Sequence, residues 1–510
     1  MQEPIGYRWL SDKFKLNYNH FHRSVLSSKL SSVHSGGQTI SSYTAQYKPN
    51  TVIDHLVFGL KNEGLYLDLL QKVLPQVKSE LLSFIEQKPS SQYARKLGFL
   101  YEFLTGQTLQ VQISGNYVDL ASADLYVLAD GVKDKRWRIN NNLPGNRYFC
   151  PLVRRTDEIN KYLAIDYRKK VQQSLQAPPE ILARALNYFY FKETKSSNDI
   201  EREKPTADRE RLFVELLKQA GKSSVDSRFS QEGLTQCQNT VVDPRYHDEC
   251  FRDIQNYVGE ASIYGRAPFV HLVGMPPELI GETMQGFTDF NKAQIHPVVK
   301  AACSSFGFVF IHPFNDGNGR VHRFIFNDIL ARESIIDDGV ILPVSAVMHK
   351  DMKAYDKALE CFSKPLMLSV NYQIDEMGYL TVDNPQDIAG QYWFPDLTEQ
   401  TDYMFQVLDQ TIDVELIEEI RLIEGFDRFR SDAKYIVDMP NKKTELMIKL
   451  LFQGGGVLSN TKKGLFSELS SDDINRLELA YKEAFEASSS EDTRLGSWER
   501  VIEHTALITI

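Results

Sequence analysis

The chain is poor in cysteine, and its five cysteines form neither a close pair nor a metal-binding spacing. An odd number of isolated thiols predicts a reducing compartment rather than a disulfide-stabilised secreted fold. The first residues, MQEPIGYRWLSDKF, lack the basic start and the apolar run of a signal peptide. No stretch of the sequence reaches the roughly 20 apolar residues of a membrane span. We therefore expect a cytoplasmic protein that does not enter a membrane.

Positive charge is not in excess either, because the formal net charge is −10 over 510 residues. That balance argues against broad, nonspecific binding of nucleic acids or anionic membranes. The apolar fraction of 42% and the charged fraction of 25% are those of an ordinary globular protein. A chain of this length exceeds one ordinary hydrophobic core, so we expect about two to four domains.

Hydrophobic periodicity divides the chain into three zones. The first, residues 1–175, mixes helical stretches with a β-rich segment near 109–128, which predicts an α+β region. The second, residues 176–375, is mainly helical and holds the residues that carry chemistry. The third, residues 376–510, is also mostly helical, with a candidate hairpin after the glycines at 454–456. This order of elements fits either a small winged-helix-like module or an ordinary helical bundle.

Residues 312–323 read HPFNDGNGRVHR and are the most informative segment of the chain. Apolar residues recur every three to four positions from Pro297, which predicts a helix with one buried face before this segment. Helical periodicity returns after Gly319, so a second helix should begin there. The turn at 316–319 would then lie at a helix N-terminus, where unpaired N–H groups and the helix dipole attract anions.

The residue types in this segment suit a phosphate site with a metal and a base beside it. Gly317 and Gly319 permit positive φ and a close approach of phosphate oxygens to the backbone. Arg320 and Arg323 lie three positions apart, so their planar guanidinium groups project near one face of the helix. Asp316 offers an oxygen ligand for a Mg²⁺ ion that bridges phosphates. His312 is able to accept a proton near neutral pH.

Other readings of the segment are weaker. A P-loop would need GxxxxGK[ST], protein-kinase signatures are absent, and an EF-hand would need a glutamate at its twelfth position. A zinc site built on His296, His312 and His322 lacks sensible spacing, so we expect capping or surface roles for His296 and His322. Phe314 fits an apolar anchor that holds the loop in the core. A Gly/Asn-rich turn between helices is, taken alone, most often only a turn.

The segment matches every fixed position of the Fic family motif, H-x-F-x-(D/E)-G-N-G-R-x-x-R, and the chain therefore resembles that family. The upstream context is similar as well, with a short hairpin near 266–277 and Ile295-His296-Pro297 at the start of the preceding helix. The resemblance implies a mainly α fold: a Fic-type helical core with a short β-hairpin flap, flanked by the N-terminal α+β region and the C-terminal helical or winged-helix-like module.

The resemblance also implies a reaction, the transfer of AMP from ATP to a Ser, Thr or Tyr hydroxyl of a protein. His312 would deprotonate that hydroxyl, and Asp316 would hold Mg²⁺ on the α- and β-phosphates. Residues 317–319 (Gly317, Asn318, Gly319) would form the anion hole, with Arg320 and Arg323 on the outer phosphates. Relatives that transfer a phosphoryl group carry lysine in place of the second glycine, and Gly319 argues against that variant.

A second element upstream resembles the inhibitory helix of many Fic proteins, whose pattern is (S/T)-x-x-x-E-(G/N). Ser197 and Glu201 match it and share a helix face, since they lie one turn apart. Arg202 departs from it, because glycine or asparagine is usual there. The resemblance implies that Glu201 pairs with Arg323 and restrains the enzyme, and the departure at Arg202 leaves the strength of this restraint open.

Further expectations concern the substrates. The strand at 267–273 would pair with the backbone of a target protein and bring a hydroxyl in front of His312, although a purely structural hairpin is an equal alternative. Tyr355 stands where relatives often place a tyrosine near the adenine, although a buried position on an amphipathic helix explains it as well. Phe362 replaces an asparagine that some relatives carry, so their adenine contacts do not transfer.

Two other functions remain open at this level. A Fic-fold enzyme could transfer UMP or another phosphate-linked group, or remove AMP, because a phosphate-binding loop does not read the base. A regulatory factor that binds DNA or protein through its third zone is the other class, although Lys442-Lys443 and Lys462-Lys463 are its only basic features. The sequence leaves the target protein, the modified residue and a homo-oligomeric assembly undecided.

Overall fold

A computed structural model describes residues 3–16, 18, 20–35, 38–260 and 268–485. The chain divides into two compact units. The first contains the described residues of Met1–Ile165, Ser197–Asp338 and Met348–Val407, and the second those of Asp166–Ser196, Gly339–Val347 and Leu408–Ile510. The three consecutive zones expected at 1–175, 176–375 and 376–510 do not coincide with these units. Both units combine segments far apart in sequence, which a pass along the chain does not reveal.

The N-terminal region has the expected α+β character. Its main sheet has the order β1-β2-β4-β3, in which β2 and β4 are parallel and the other pairs are antiparallel. A smaller sheet has the order β5-β7-β6. The elements are β1 (Pro4–Ile5), α1 (Tyr7–Phe14), β2 (His22–Leu26), β3 (Ser31–Ser35), β4 (Gln38–Tyr43), α2 (Val52–Asn62), α3 (Leu67–Val73), α4 (Lys78–Gln87), α5 (Gln92–Thr105), β5 (Val118–Asp119), β6 (Val132–Asp134), β7 (Ile139–Asn141) and α6 (Asp157–Leu163).

The β-rich segment predicted near 109–128 is largely wrong, because only β5 is a strand there. Side chains satisfy parts of its backbone in place of a neighbouring strand. The Glu102 carboxylate accepts the Leu109 N–H at 2.8 Å, and Arg95 Nη1 donates to the Asn116 carbonyl at 2.7 Å. Both side chains come from α5, so the segment runs along that helix as irregular structure.

The middle and C-terminal parts are mainly helical, as expected. Short antiparallel hairpins pair β8 with β9 and β10 with β11. The elements are α7 (Tyr167–Ser174), α8 (Pro179–Ile200), α9 (Ala207–Leu217), α10 (Val225–Arg228), α11 (Gln231–Val241), β8 (Tyr257–Glu260), β9 (Phe269–Val273), α12 (Pro277–Phe290), α13 (Pro297–Ile311), α14 (Asn318–Arg332), α15 (Val344–Lys350), α16 (Met352–Met367), β10 (Tyr372–Ile374), β11 (Leu380–Val382), α17 (Pro385–Trp393), α18 (Thr398–Gln410), α19 (Ile417–Ile436), α20 (Asn441–Gln453), α21 (Asn460–Lys463) and α22 (Ser471–Phe485). No helix within the described ranges is long and apolar enough to span a membrane.

Helix α13 is the central element of the first unit and packs chiefly against α14. The expectation of one buried face was wrong, since every residue from Val298 to Ile311 is buried. Its polar side chains have hydrogen-bond or ion-pair partners, which offset the free-energy cost of burying them. Lys300 Nζ lies 2.5 Å from Glu333 Oε1, and Ser304 donates to Asn291 Oδ1 at 2.8 Å. A helix enclosed on all sides gives the residues at its C-terminal end a fixed position.

The C-terminal helices of the second unit share one apolar core, formed by residues such as Phe429, Leu451 and Leu477. The candidate hairpin after the glycines at 454–456 does not form, because α21 and a 3₁₀ turn at Gly464–Phe466 occupy that stretch. Ser470 caps the start of α22, since the Asp473 N–H donates to Ser470 Oγ at 3.1 Å. The module is thus a helical bundle up to residue 485, and the remainder of the predicted zone lies outside the described residues.

A buried carboxyl in the N-terminal region makes stability depend on pH. Glu63 is 6% exposed, and its Oε2 accepts the Tyr7 N–H at 2.7 Å. Desolvation by burial raises the pKa of Glu63 from 4.5 to about 7. Because the folded-state pKa lies above the unfolded-state value, the stability contributed by this group is complete below pH 4.5 and is lost as the pH rises through about 7.

We therefore expect Glu63→Gln to remove one component of pH-dependent stability. Relative to this variant, the wild-type free energy of unfolding should fall by roughly 3 kcal/mol between mildly acidic and mildly alkaline pH. Urea unfolding at several pH values measures this difference, and the exposed Glu80→Gln is the matched control. Parallel pH profiles of wild type and Glu63→Gln would show that the carboxyl is not held neutral.

Candidate active site

The segment 312–323 forms the connection between α13 and α14, as the sequence predicts. His312 ends α13 in the left-handed conformation, with φ 55°, and its N–H donates to the Phe308 carbonyl at 3.0 Å. Gly317 adopts φ 82° at the N-cap of α14. The turn therefore places the start of α14 next to the residue that closes α13. The expected helix N-terminus, with its anion-attracting N–H groups, is present.

The hydrogen bonds of His312 determine which ring nitrogen is basic. Nδ1 lies 3.0 Å from the Val309 carbonyl oxygen, which is able only to accept a hydrogen bond. Nδ1 therefore carries the proton, and Nε2 keeps its lone pair in the neutral ring. Desolvation by burial, assisted by the nearby Arg252 guanidinium, lowers the pKa of His312 to about 4. The ring is thus neutral at physiological pH and is able to accept a proton at Nε2.

Two side chains fix the loop between these helices. Phe314 is fully buried, with its ring centroid 5.4 Å from that of Phe251, so it is the apolar anchor that the sequence indicates. Asn318 holds the Phe314 backbone from both sides: Oδ1 accepts the N–H at 3.1 Å and Nδ2 donates to the carbonyl at 2.8 Å. The side chain of Asn318 is therefore committed to the loop, which leaves only its backbone for an anion.

Asp316, which the sequence predicts to be a metal ligand, has a side chain that is 46% exposed. Its Oδ1 accepts the Gly317 N–H at 2.6 Å and lies 3.3 Å from Arg320 Nη2. Among the described residues there is no group of three or more His, Cys, Asp and Glu side chains that could hold a metal ion. A single accessible carboxylate fits Mg²⁺ nevertheless, because that ion commonly takes one or two carboxylates together with substrate phosphates and water.

Arg323 is fully buried and is bound by the end of α8. Its Nε donates to Ser197 Oγ at 2.9 Å, and its Nη2 donates to the Ser197 carbonyl and to Glu201 Oε1, each at 2.8 Å. The structure thus brings both predicted inhibitory residues to the second arginine of the motif. The side chain of Glu201 remains 35% exposed, so the pair lies at the rim of the site.

The position of Glu201 relative to α14 is equally informative. A Cβ atom added to Gly319 would lie 2.1 Å from Glu201 Oε1. The carboxylate therefore sits directly on the backbone of the first turn of α14, where the unpaired N–H groups favour an anion. Glu201 occupies the place that the sequence assigns to a phosphate.

The other arginine of the motif, Arg320, is paired with an acid that the sequence analysis missed. Arg320 Nη1 lies 2.8 Å from Glu203 Oε2 and donates to the Val241 carbonyl at 2.8 Å. The same Glu203 oxygen accepts from Arg209 Nη2 at 2.9 Å. Glu203 stands only two residues after Glu201, and this repeated acid was the signal that could have identified it.

Tyr355 is buried and contacts the arginine instead of lying open to a ligand. Its hydroxyl lies 2.8 Å from His322 Nε2 and accepts from Arg323 Nη1 at 3.5 Å. His322 is also fully buried, with Nδ1 2.8 Å from Ser305 Oγ, so the expected surface or capping role was wrong. The Ser305 hydroxyl already donates to the His322 carbonyl at 2.9 Å. It must therefore accept from Nδ1, which makes Nε2 the acceptor for the Tyr355 hydroxyl.

Other residues of the sequence analysis fall beside the site. His296 stands at the N-cap of α13 without a side-chain cap bond. Phe362 stacks on Phe310 with ring centroids 4.1 Å apart, so it forms part of the core. Its ring offers no polar group at this position.

The hairpin of β8 and β9 lies next to His312. Its predicted strand, 267–273, is β9 from Phe269 to Val273, while residue 267 lies outside the described residues. A Cβ atom added to Gly274 would lie 3.3 Å from His312 Cβ, and the Met275 N–H donates to the Ile311 carbonyl at 3.1 Å. Phe269 is 67% exposed on this strand. The hairpin thus joins the end of α13 and presents an apolar surface to solvent.

Comparison with known proteins supports the resemblance seen in the motif. Residues 229–330 match the sequence model of the Fic/DOC family. The chain is 28% identical over 186 residues to a protein adenylyltransferase Fic of Nematostella vectensis, covering 33% of this chain and 44% of that protein. It is 26% identical over 239 residues to the protein of that name from Drosophila willistoni, covering 40% and 45%. A third relative, protein adenylyltransferase fic-1 of Caenorhabditis elegans, is 36% identical over 72 residues, covering 13% and 14%.

The chain thus spans less than half the length of the curated relatives that it matches. The matched family segment contains the whole loop from His312 to Arg323. Glu201 and Tyr355 lie outside that segment, so their roles depend on the contacts described above.

The backbone conformation of the residue after Glu201 gives a physical reason for the glycine or asparagine of the inhibitory pattern. Arg202 has φ 56°, and this left-handed conformation strains residues with a Cβ atom other than asparagine and aspartate. We expect Arg202→Gly to raise the free energy of unfolding by about 1 kcal/mol. Thermal unfolding measures the change, with Arg202→Ala as the control that retains the strained Cβ. Equal stabilisation by alanine would show that the gain comes from removing the arginine side chain.

Proposed function

We propose that this chain, whose residues 229–330 match the sequence model of the Fic/DOC family, is a protein adenylyltransferase. It transfers AMP from ATP to a Ser, Thr or Tyr hydroxyl of a protein in the cytoplasm. One observation carries the proposal: a neutral His312 with a basic Nε2 stands beside a helix N-terminus that two buried arginines face. Base, anion site and cationic groups are what in-line nucleotidyl transfer requires.

The reaction follows from the positions of these groups. His312 Nε2 accepts the proton of the target hydroxyl, whose oxygen attacks the α-phosphorus of ATP. The bond between that phosphorus and the oxygen leading to the β-phosphate breaks, and pyrophosphate leaves. The N–H groups of residues 317–319 stabilise the charge that develops on the α-phosphate, while Arg320 and Arg323 bind the outer phosphates. Asp316 would hold Mg²⁺, which supplies positive charge to the phosphate oxygens.

Two further residues and the hairpin complete the proposed site. Tyr355 supports the nucleotide site through Arg323, and a direct contact of its ring with adenine remains a prediction. The target docks as an added strand on β9, near 267–273, which would place its hydroxyl in front of His312. The exposed Phe269 and the closeness of Gly274 to His312 support this docking site.

The same contacts support self-restraint by Glu201. Its carboxylate takes one donor of Arg323 and covers the first turn of α14 at Gly319. A bound nucleotide would have to place phosphate oxygens against this negative charge or displace it. Repulsion between like charges at such short range costs several kcal/mol in a poorly solvated site, by an order-of-magnitude estimate. Glu201 therefore lowers productive ATP binding until it is moved or removed.

A phosphate-binding loop does not identify the base, so UMP transfer and AMP removal are the alternatives within the same fold. Competition between unlabelled ATP, UTP, GTP and CTP during labelling distinguishes the transferred nucleotide. Release of AMP from a labelled target would identify the reverse activity. The described structure offers no feature that favours the DNA- or protein-binding factor over an enzyme.

We expect ATP labelled at the α-phosphate to label the protein itself or a lysate protein in the presence of Mg²⁺. Glu201→Gly should label at least about tenfold faster than wild type, since one lost charge repulsion of 1.4 kcal/mol or more is worth that factor. His312→Ala in the Glu201→Gly background should abolish labelling, because the proposed mechanism assigns the proton of the target hydroxyl to His312.

Asp199→Gly is the matched control, as it weakens the same turn of α8 without removing the Arg323 contact. It should leave the rate near that of wild type. Absence of AMP from wild type and Glu201→Gly alike would exclude the adenylyltransferase. Equal labelling of wild type and Glu201→Gly would exclude the restraint but keep the enzyme.

A further inference from the structure

Arg252 is a buried cation beside the catalytic loop that neither the motif nor the proposed mechanism uses. It lies between α11 and β8, and it is only 4% exposed. Its guanidinium donates through Nε to the His312 carbonyl at 2.7 Å, through Nη1 to the Ile254 carbonyl at 2.8 Å and through Nη2 to the Met275 carbonyl at 2.5 Å. Its own N–H donates to the Pro313 carbonyl at 2.9 Å.

These bonds connect parts of the site whose relative positions must stay fixed. His312 and Pro313 belong to the catalytic loop, Ile254 precedes β8, and Met275 follows β9. Burying a cation costs solvation free energy. A buried guanidinium whose partners are neutral carbonyl oxygens therefore destabilises the fold unless its hydrogen bonds are well formed. Desolvation accordingly lowers the pKa of Arg252 to about 10.

The left-handed conformation of His312 needs such an external support. For a residue with a Cβ atom this conformation costs roughly 1–2 kcal/mol. It persists only where the surrounding contacts hold it in place. The His312 carbonyl closes α13 and has no partner further along that helix, and Arg252 Nε supplies one. The neighbouring carbonyl of Pro313 is bound by the backbone of the same residue.

We propose that Arg252 is the positioning residue of the catalytic base, holding His312 in its left-handed conformation and joining it to the base of the flap. This inference rests on the proposed function, in which His312 accepts the proton of the target hydroxyl. Arg252 touches no reacting atom. It acts through the orientation of His312 and through the field that it imposes on the imidazole.

The field gives a readout that a purely structural role would not change. The charged groups that face His312 are Arg252, which lowers its pKa, and Glu201 and Asp316, which raise it. His322 also faces it, and His312 lowers the pKa of His322 in turn. Removing the positive charge at 252 should therefore raise the pKa of His312, whereas exchanging one cation for another should not.

Arg252→Lys and Arg252→Gln separate geometry from charge, because lysine keeps the charge but lacks the planar fork. In the Glu201→Gly background, both should lower kcat by about tenfold or more with little change in KM for ATP, since a misplaced base affects the chemical step. Only Arg252→Gln should move the acid limb of the kcat profile to higher pH. Circular dichroism and thermal unfolding establish that both variants are folded.

An NMR titration of the His312 ring carbon in the full chain tests the same point without any enzymatic activity. A higher His312 pKa in Arg252→Gln than in Arg252→Lys supports the inference even if no AMP transfer is detected, in which case only the proposed function fails. Coincident titrations of the two variants, or an unchanged kcat in both, would overturn it.

A second inference concerns Glu203 and does not depend on the role of Arg252. Its Oε2 is shared by Arg320 and Arg209, and both arginines also donate to the Val241 carbonyl, at 2.8 Å and 3.1 Å. Arg320 is 1% exposed, and a phosphate that approaches its Nη1 competes with this carboxylate. The segment after α8 thus sets one acid on each arginine of the motif.

We infer that Glu203 is a second internal competitor for ATP, acting on Arg320 as Glu201 acts on Arg323. This also rests on the proposed function. Glu203→Gln in the Glu201→Gly background should raise kcat/KM for ATP and the ATP affinity by about fivefold, the worth of a partly exposed charged pair. The exposed Asp208→Asn of the same segment should change neither.

The direction of the change in ATP affinity distinguishes an acid that competes with ATP from one that only holds the two arginines in place. If Glu203 only braces Arg320 and Arg209, the glutamine variant will bind ATP equally or more weakly, and the inference fails. Calorimetry of ATP binding reports this sign whether or not the protein transfers AMP, so a failure of the proposed function remains distinguishable.

Discussion

The site depends on one constraint: two guanidinium groups are buried at the start of α14 and must be neutralised there. A buried cation without a partner costs several kcal/mol, by an order-of-magnitude estimate. In the described structure Glu201 and the Ser197 carbonyl partner Arg323, while Glu203 and the Val241 carbonyl partner Arg320. An anion that enters must stabilise the two guanidinium groups at least as well as the contacts that it displaces. Binding and restraint are therefore one electrostatic balance rather than separate properties.

Part of this arrangement could be predicted from sequence because it is local. The order of His312, the glycines and the arginines determines a helix end, a turn and a helix start within twelve residues. The local pattern is enough to predict this connection, although a distant residue, Arg252, supports its backbone. Even the pairing of Glu201 with Arg323 was predictable, since the family pattern places this acid upstream.

The rest depended on tertiary contacts that no local pattern encodes. Arg252 is an isolated arginine between a helix and a strand, and only the fold brings its guanidinium to the His312 carbonyl. The burial of α13 on all sides escaped prediction because its small and paired polar residues resemble an exposed face. The hairpin expected after residue 456 failed for the opposite reason, since turn-forming glycines are equally compatible with short helices. The discontinuous units have no signature along the chain at all.

The bond between the Met275 N–H and the Ile311 carbonyl has a geometric consequence for substrate choice. It ties the end of β9 to the helix that carries His312, so strand and base share one frame of reference. Side chains of an added strand alternate between two faces, and a slip of one residue turns every side chain to the opposite face. Under the proposed docking, only every second position of a target could present a hydroxyl to the base. Parity along the target strand, as much as the identity of its side chains, would then select the modified residue.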